Sequence, residues 1–151
     1  MTIEIDETLE VRAPAELLWE VITDLDRYGE WNPFVVACRS SLREGDPIEM
    51  KVQIFESFVQ SQRETILDHV PGERLCYGLA PMPLGALASR RCHQVMDDGP
   101  ATSRYRSHFV LSGWLSPITR ALLGSRLDHG FRSMTRALVQ RAEFLCEERS
   151  P

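Results

Sequence analysis

Residues 117–146 carry the longest regular pattern in the chain. Apolar residues fall at Leu127, Phe131, Met134, Leu138 and Leu145, with Ala142 filling the gap. Steps of three and four put them on one stripe of a helix. Arg120, Arg126, Arg132, Arg136 and Arg141 lie largely off that stripe. Pro117 suits a first helical turn, where its missing N–H is no loss. Such a helix is about 45 Å long, against about 38 Å for the width of a compact chain of this size. It must cross the whole molecule, and its stripe needs a partner of similar length.

The upstream pattern supplies strands. Residues 2–11 alternate, with Ile3, Ile5, Leu9 and Val11 on one face, as in a half-buried strand. Pro14 and Glu16 open a helix whose apolar face is Leu17, Leu18, Val21 and Ile22. A short second helix holds Tyr28 and should stop near Trp31, because the Asn32-Pro33 step disfavours helical backbone. Six more strands follow, over 34–42, 48–55, 58–70, 74–79, 88–96 and 102–112, separated by short Gly, Pro and Asp turns. The loop 80–87 breaks the ladder with Pro81, Pro83 and Gly85, yet carries Met82, Leu84 and Leu87. Loops normally face water, so this one reads either as a fold onto the core edge or as a lid over an apolar opening. Seven antiparallel strands and one long helix make an α+β layout in a single domain spanning residues 1–151.

Composition narrows the function. A net charge of −5 gives nucleic acid no electrostatic footprint. No run of about 18 apolar residues exists to span a membrane. The first six residues lack the basic-then-apolar layout of a signal peptide, so the expected location is cytoplasmic. Cys38, Cys76, Cys92 and Cys146 contain no C-x-x-C pair. They read as four small buried apolar residues, without disulfides or a metal. No metal-binding, phosphate-binding or dinucleotide motif is present, so no cofactor is expected.

The runs Val11-Arg12-Ala13-Pro14-Ala15-Glu16-Leu17-Leu18-Trp19-Glu20-Val21, Asp24-Leu25-Asp26-Arg27-Tyr28 and Trp31-Asn32-Pro33-Phe34 resemble the SRPBCC (START-like) superfamily, with its polyketide cyclase/dehydrase and lipid-transport members. Residues 72–75, 111–113 and 131–143 fit the same pattern, so the resemblance covers essentially the whole chain. It implies a helix-grip fold, a curved seven-stranded sheet around the C-terminal helix with a cavity between them. Related chains often carry a glutamate where this one has Phe109, which makes any cavity greasier and removes a potential acid.

On this frame Trp31, Phe34, Tyr77, Tyr105, Phe109, Phe131 and Met134 are the candidate lining, with Met82 and Leu84 in the lid. His93 lies in phase with Arg91 and Val95. It is a candidate to orient a polar group or exchange a proton near neutral pH. Arg91 is a candidate partner for a ligand carboxylate or phenolate. The first functional reading is binding or transport of a small hydrophobic ligand, such as a lipid, an isoprenoid or an aromatic polyketide-like compound. The alternative is a polyketide cyclase/aromatase or dehydratase using His93 and Tyr105 as acid/base groups. A third is an interaction module built on loop 80–87, and a homodimer stays open.

Overall fold

The computed structural model describes residues 2–80 and 82–150. Met1, Pro151 and Pro81, one of the three breakers in the apolar loop, lie outside them. The order is β1 (Ile3–Val11), α1 (Ala15–Thr23), a 3-10 turn (Leu25–Arg27), α2 (Tyr28–Trp31), β2 (Val35–Ser40), β3 (Pro47–Val52), β4 (Gln60–Val70), β5 (Arg74–Gly78), β6 (Ala88–Asp97), β7 (Ser103–Ser112) and α3 (Ser116–Arg149). The strands form one antiparallel sheet in the order β1-β7-β6-β5-β4-β3-β2. Hairpin turns make sequence neighbours into sheet neighbours. The exceptions are β1, which closes on β7, and β2, which α1 and α2 carry to the far edge.

Alternation sets which side chains enter the core. Along β7, Ser103, Tyr105, Ser107, Phe109 and Leu111 are buried, whereas Arg104, Arg106 and His108 face outward. α3 lies against β1, β7 and α1. Its Leu127, Phe131, Met134, Leu138 and Ala142 are buried, as their spacing predicts. The stripe that begins at Leu127 thus has its partner. Ahead of it Leu123 still packs partly against the core, whereas Ile118 and Leu122 are 56% and 73% exposed.

Loop 80–87 is placed differently from a lid. Residues Pro83–Gly85 form one 3-10 turn with Leu84 at φ 62° and 92% exposed. The turn is tied to the β7–α3 connection, where Trp114 Nε1 donates to the Leu84 carbonyl at 3.0 Å and Leu115 N to the Ala86 carbonyl at 3.0 Å. Gly113, at φ 112°, lets that connection approach, because a side chain there would collide with the Ala86 carbonyl.

The cysteine reading is corrected as well. Cys76 and Cys92 stand directly opposite each other on β5 and β6 and are disulfide-bonded. Cys38 and Cys146 are free, and Cys146 is only partly buried. Spacing in sequence carries no cross-strand register, and register is what brought this pair together. The expectation of no disulfide follows from the expected cytoplasmic location, and the bond counts against that step. Unfolded without reductant, the protein should titrate two thiols, Cys38 and Cys146, against Ellman's reagent, rising to four after reduction. Four thiols without reductant would show the strands to be untied.

Candidate functional site

The inner face of β5–β7 concentrates polar groups in an otherwise apolar core. Arg91 and His93, two residues apart on β6, both point inward and are 2% and 0% exposed. Across the sheet, Arg91 pairs with Tyr77 on one side and Phe109 on the other. Its Nη1 donates to Ser107 Oγ. Its Nη2 lies 3.5 Å from Tyr105 OH and 3.7 Å from Met134 Sδ. The guanidinium carbon sits 4.8 Å from the centroid of the Phe131 ring, a cation–π position. Nε has no hydrogen-bond partner.

His93 completes a chain of three rings. Its Nε2 is 3.1 Å from Tyr77 OH and its Nδ1 is 2.6 Å from Tyr105 OH. Burial, and after it the charge of Arg91, hold His93 well below its usual pKa, so the imidazole is neutral. A neutral ring donates at one nitrogen and accepts at the other. One tyrosine therefore gives a hydrogen bond to His93 and the other receives one. Burial raises the pKa of both phenols, while Arg91 pulls the other way. Glu64 is buried on β4; burial raises its pKa, opposed by the hydrogen bond from Gln62 and by the charge of Arg91.

Arg91, Tyr77 and Glu64 open onto a space of about 70 Å³ between the sheet and α3. Its other walls are Phe34, Val35, Met50, Val52, Ile54, Gln62, Phe109, Leu127, Phe131 and Met134. That is room for roughly two waters, well short of the ~300–1,000 Å³ of a typical small-molecule site. Larger depressions lie over β2–β4, where Met50 and Gln62 are shared with this space, and between α1 and the end of α3, away from Arg91.

Six of the sequence candidates meet here: Phe34, Tyr77, Arg91, Phe109, Phe131 and Met134. His93 and Tyr105 stand one layer behind the cavity wall. Trp31 packs edge-on against Tyr28 and lines the depression at the end of α3. Met82 and Leu84 do not reach the cavity. Sequence reading missed Gln62 and Glu64. Their signal was present, because both are in phase with the buried Ile66. Outside, Glu4, Asp6 and His108 bring potential metal-ligating atoms within 4.8 Å of one another. Arg106 already holds Asp6 at 2.9 and 2.6 Å, and His108 holds Glu4 at 2.9 Å. A cation would have to break both pairs, and no metal role is assigned.

The sheet and the gripped helix agree with comparison to known families. Residues 2–143 match the family described as polyketide cyclase / dehydrase and lipid transport. The chain belongs to that family. Several solved structures share the fold at low identity. A START superfamily protein from Mycobacterium smegmatis is 19% identical, with TM-score 0.70, covering 94% of this chain and 98% of its own. The Zhui aromatase/cyclase from Streptomyces sp. R1128 is 16% identical, with TM-score 0.72 and coverages of 95% and 94%. Norcoclaurine synthase from Thalictrum flavum, in complex with dopamine and hydroxybenzaldehyde, is 15% identical, with TM-score 0.71 and coverages of 100% and 90%. No curated protein matches the chain. Among the described residues no helix is long and apolar enough to cross a membrane.

The depressed pKa of His93 contributes a loss of stability on acidification. Unfolded, His93 takes up a proton below about pH 6.5; folded, it does not until much lower pH. The unfolded state thus binds more protons, and stability falls as pH drops through 6.5. Glu64 acts in the opposite sense, since its raised pKa favours the folded state on acidification. Between about pH 7.5 and 5.5, wild type should lose about 1.4 kcal/mol more unfolding free energy than His93→Gln, which keeps the Glu64 contribution. Urea titrations at both pH values check this, and parallel losses would place a charged imidazole in the core.

Proposed function

We propose that the protein binds, between the sheet and α3, a small and mainly apolar molecule carrying one acidic or strongly polarised oxygen, which Arg91 holds. The observation behind this reading is the set of partners around Arg91. A guanidinium stripped of water costs several kcal/mol unless anions or good hydrogen bonds replace the solvent. Here its hydrogen bonds go to two neutral hydroxyls and a thioether, and Nε has no partner at all. It borders a cavity whose walls are otherwise chiefly aliphatic and aromatic. An oxygen anion or an enolisable carbonyl would satisfy the free donor, and the apolar walls would contribute about 25 cal/mol per Å² of ligand surface buried. The family description names both lipid transport and polyketide cyclisation, and both classes of molecule carry such oxygens.

Fluorescence titration with cis-parinaric acid and with its alcohol tests the assignment. Arg91→Gln should weaken binding of the acid about tenfold, the loss of one charge-assisted hydrogen bond, while the alcohol changes much less. Equal loss for both would remove Arg91 as the anchor and leave only apolar contacts.

One observation favours a second reading, a cyclase or dehydratase in the same space. Tyr77 lines the cavity opposite Arg91, and His93 supports its hydroxyl from behind. Arg91 would polarise a carbonyl and Tyr77 would donate a proton to its oxygen. Under this reading the acid is Tyr77, with His93 positioning it. Turnover of a poly-β-keto thioester should fall at least about a hundredfold in Tyr77→Phe with little change in binding. No turnover by wild type would end the enzymatic reading.

A further inference from the structure

Two hollows in this protein share a wall. The inner one is the 70 Å³ cavity at Arg91. The outer one is a cleft of about 300 Å³ between the β3–β4 connection and α3, where Gln53, Phe55, Arg126, His129 and Ser133 face one another. Phe34 and Ile54 line both. The Phe34 ring therefore separates them.

The backbone under that ring is fixed. Asn32 Oδ1 accepts hydrogen bonds from the amides of Phe34 and Val35 at 3.0 and 2.9 Å. The Phe34 carbonyl accepts one from Gln53 N at 2.7 Å. None of these bonds involves the side chain, so the ring can turn without breaking them. It rests edge-on against Phe131, with centroids 5.0 Å apart, a favourable but individually weak aromatic contact. Its seat on the other side is Gly130 of α3. A Cβ built there would overlap Cδ1 and Cε1 of the ring and stand 2.9 Å from Cγ. Glycine in a helix interior is destabilising relative to alanine. At this position it leaves room for a ring that a side chain would expel.

We infer that Phe34, seated on Gly130, is a side-chain gate, and that the binding site is the union of the two hollows, opened when the ring swings aside. The inner hollow alone is too small for an organic ligand. Joined, the two reach the range of small-molecule sites, about 300–1,000 Å³. The ligand class follows from the ends of this channel. It is an elongated, mainly apolar molecule, with an acidic or carbonyl oxygen at Arg91 and a polar outer end among Gln53, Arg126 and His129. The inference deepens the proposed function and rests on its assignment of Arg91.

A gate that is closed most of the time weakens apparent affinity by the fraction open. Stopped-flow and equilibrium binding of cis-parinaric acid to wild type, Phe34→Ala, Phe34→Trp and Gly130→Ala measures this. Phe34→Ala should speed association and tighten binding about tenfold, as expected for a gate open roughly one-tenth of the time. Gly130→Ala, whose methyl group evicts the ring, should change both in the same direction. Phe34→Trp should slow association and weaken binding. If Gly130→Ala does not fold by circular dichroism, the two Phe34 variants decide. Binding unchanged or weakened in Phe34→Ala overturns the gate, even where Arg91→Gln still weakens binding and the anchor survives. Failure of every protein, Phe34→Ala included, to bind the probe overturns both.

Discussion

A positive charge sits in the apolar interior of this protein, and the site is arranged around tolerating it. Arg91 is inward by alternation on β6, on a strand flanked by partners on both sides, so its guanidinium cannot reach water. The fold answers with the softest acceptors available to a core: the Ser107 and Tyr105 oxygens, the Met134 sulfur and the face of Phe131. Phe131 and Met134 come from α3 at a three-residue spacing, so the gripped helix supplies one wall of the cation's enclosure. The charge then shapes its surroundings, helping to keep His93 neutral and drawing the Glu64 pKa downward against burial.

Neutrality is what lets His93 join two buried phenols. A charged imidazole would donate at both nitrogens and force both tyrosines to accept. The neutral ring transmits direction instead, with one hydroxyl pointing toward it and the other receiving from it. Tyr77 is the member of this chain that meets the cavity, so the polarity of the chain affects what the space presents to a guest. Rigidity comes from three adjacent strands, β5, β6 and β7, each of which carries one member of the chain.

Much of this was legible beforehand, for identifiable reasons. Period-two alternation gave seven strands and put Tyr105 and Phe109 on one face, and the register of the resembled family turned the Arg91 and His93 face inward. Steps of three and four gave the α3 stripe. Depth behind a wall was not legible, because alternation assigns a face and says nothing of the layer a side chain occupies. His93 and Phe109 thus looked equivalent, although only Phe109 borders the space. Of the two readings of loop 80–87, the fold onto the core edge is the one its contacts favour: Ala86 is buried and Leu87 packs against the core, while Leu84 points to solvent. Glu64 was overlooked because an acid in a strand is ordinarily an outward residue, and only its phase with Ile66 marked it as inward.

The cross-strand sulfur bond has a mechanical side. Cys76 and Cys92 alternate with Tyr77, Arg91 and His93 on the same two strands, so the tether lies on the reverse of the sheet, directly behind the polar layer. β5 and β6 cannot splay apart there. Any breathing of the interior must be taken up at the opposite wall, where β2 and the helix meet through side chains alone. One jaw of the grip is riveted and the other is free to yield.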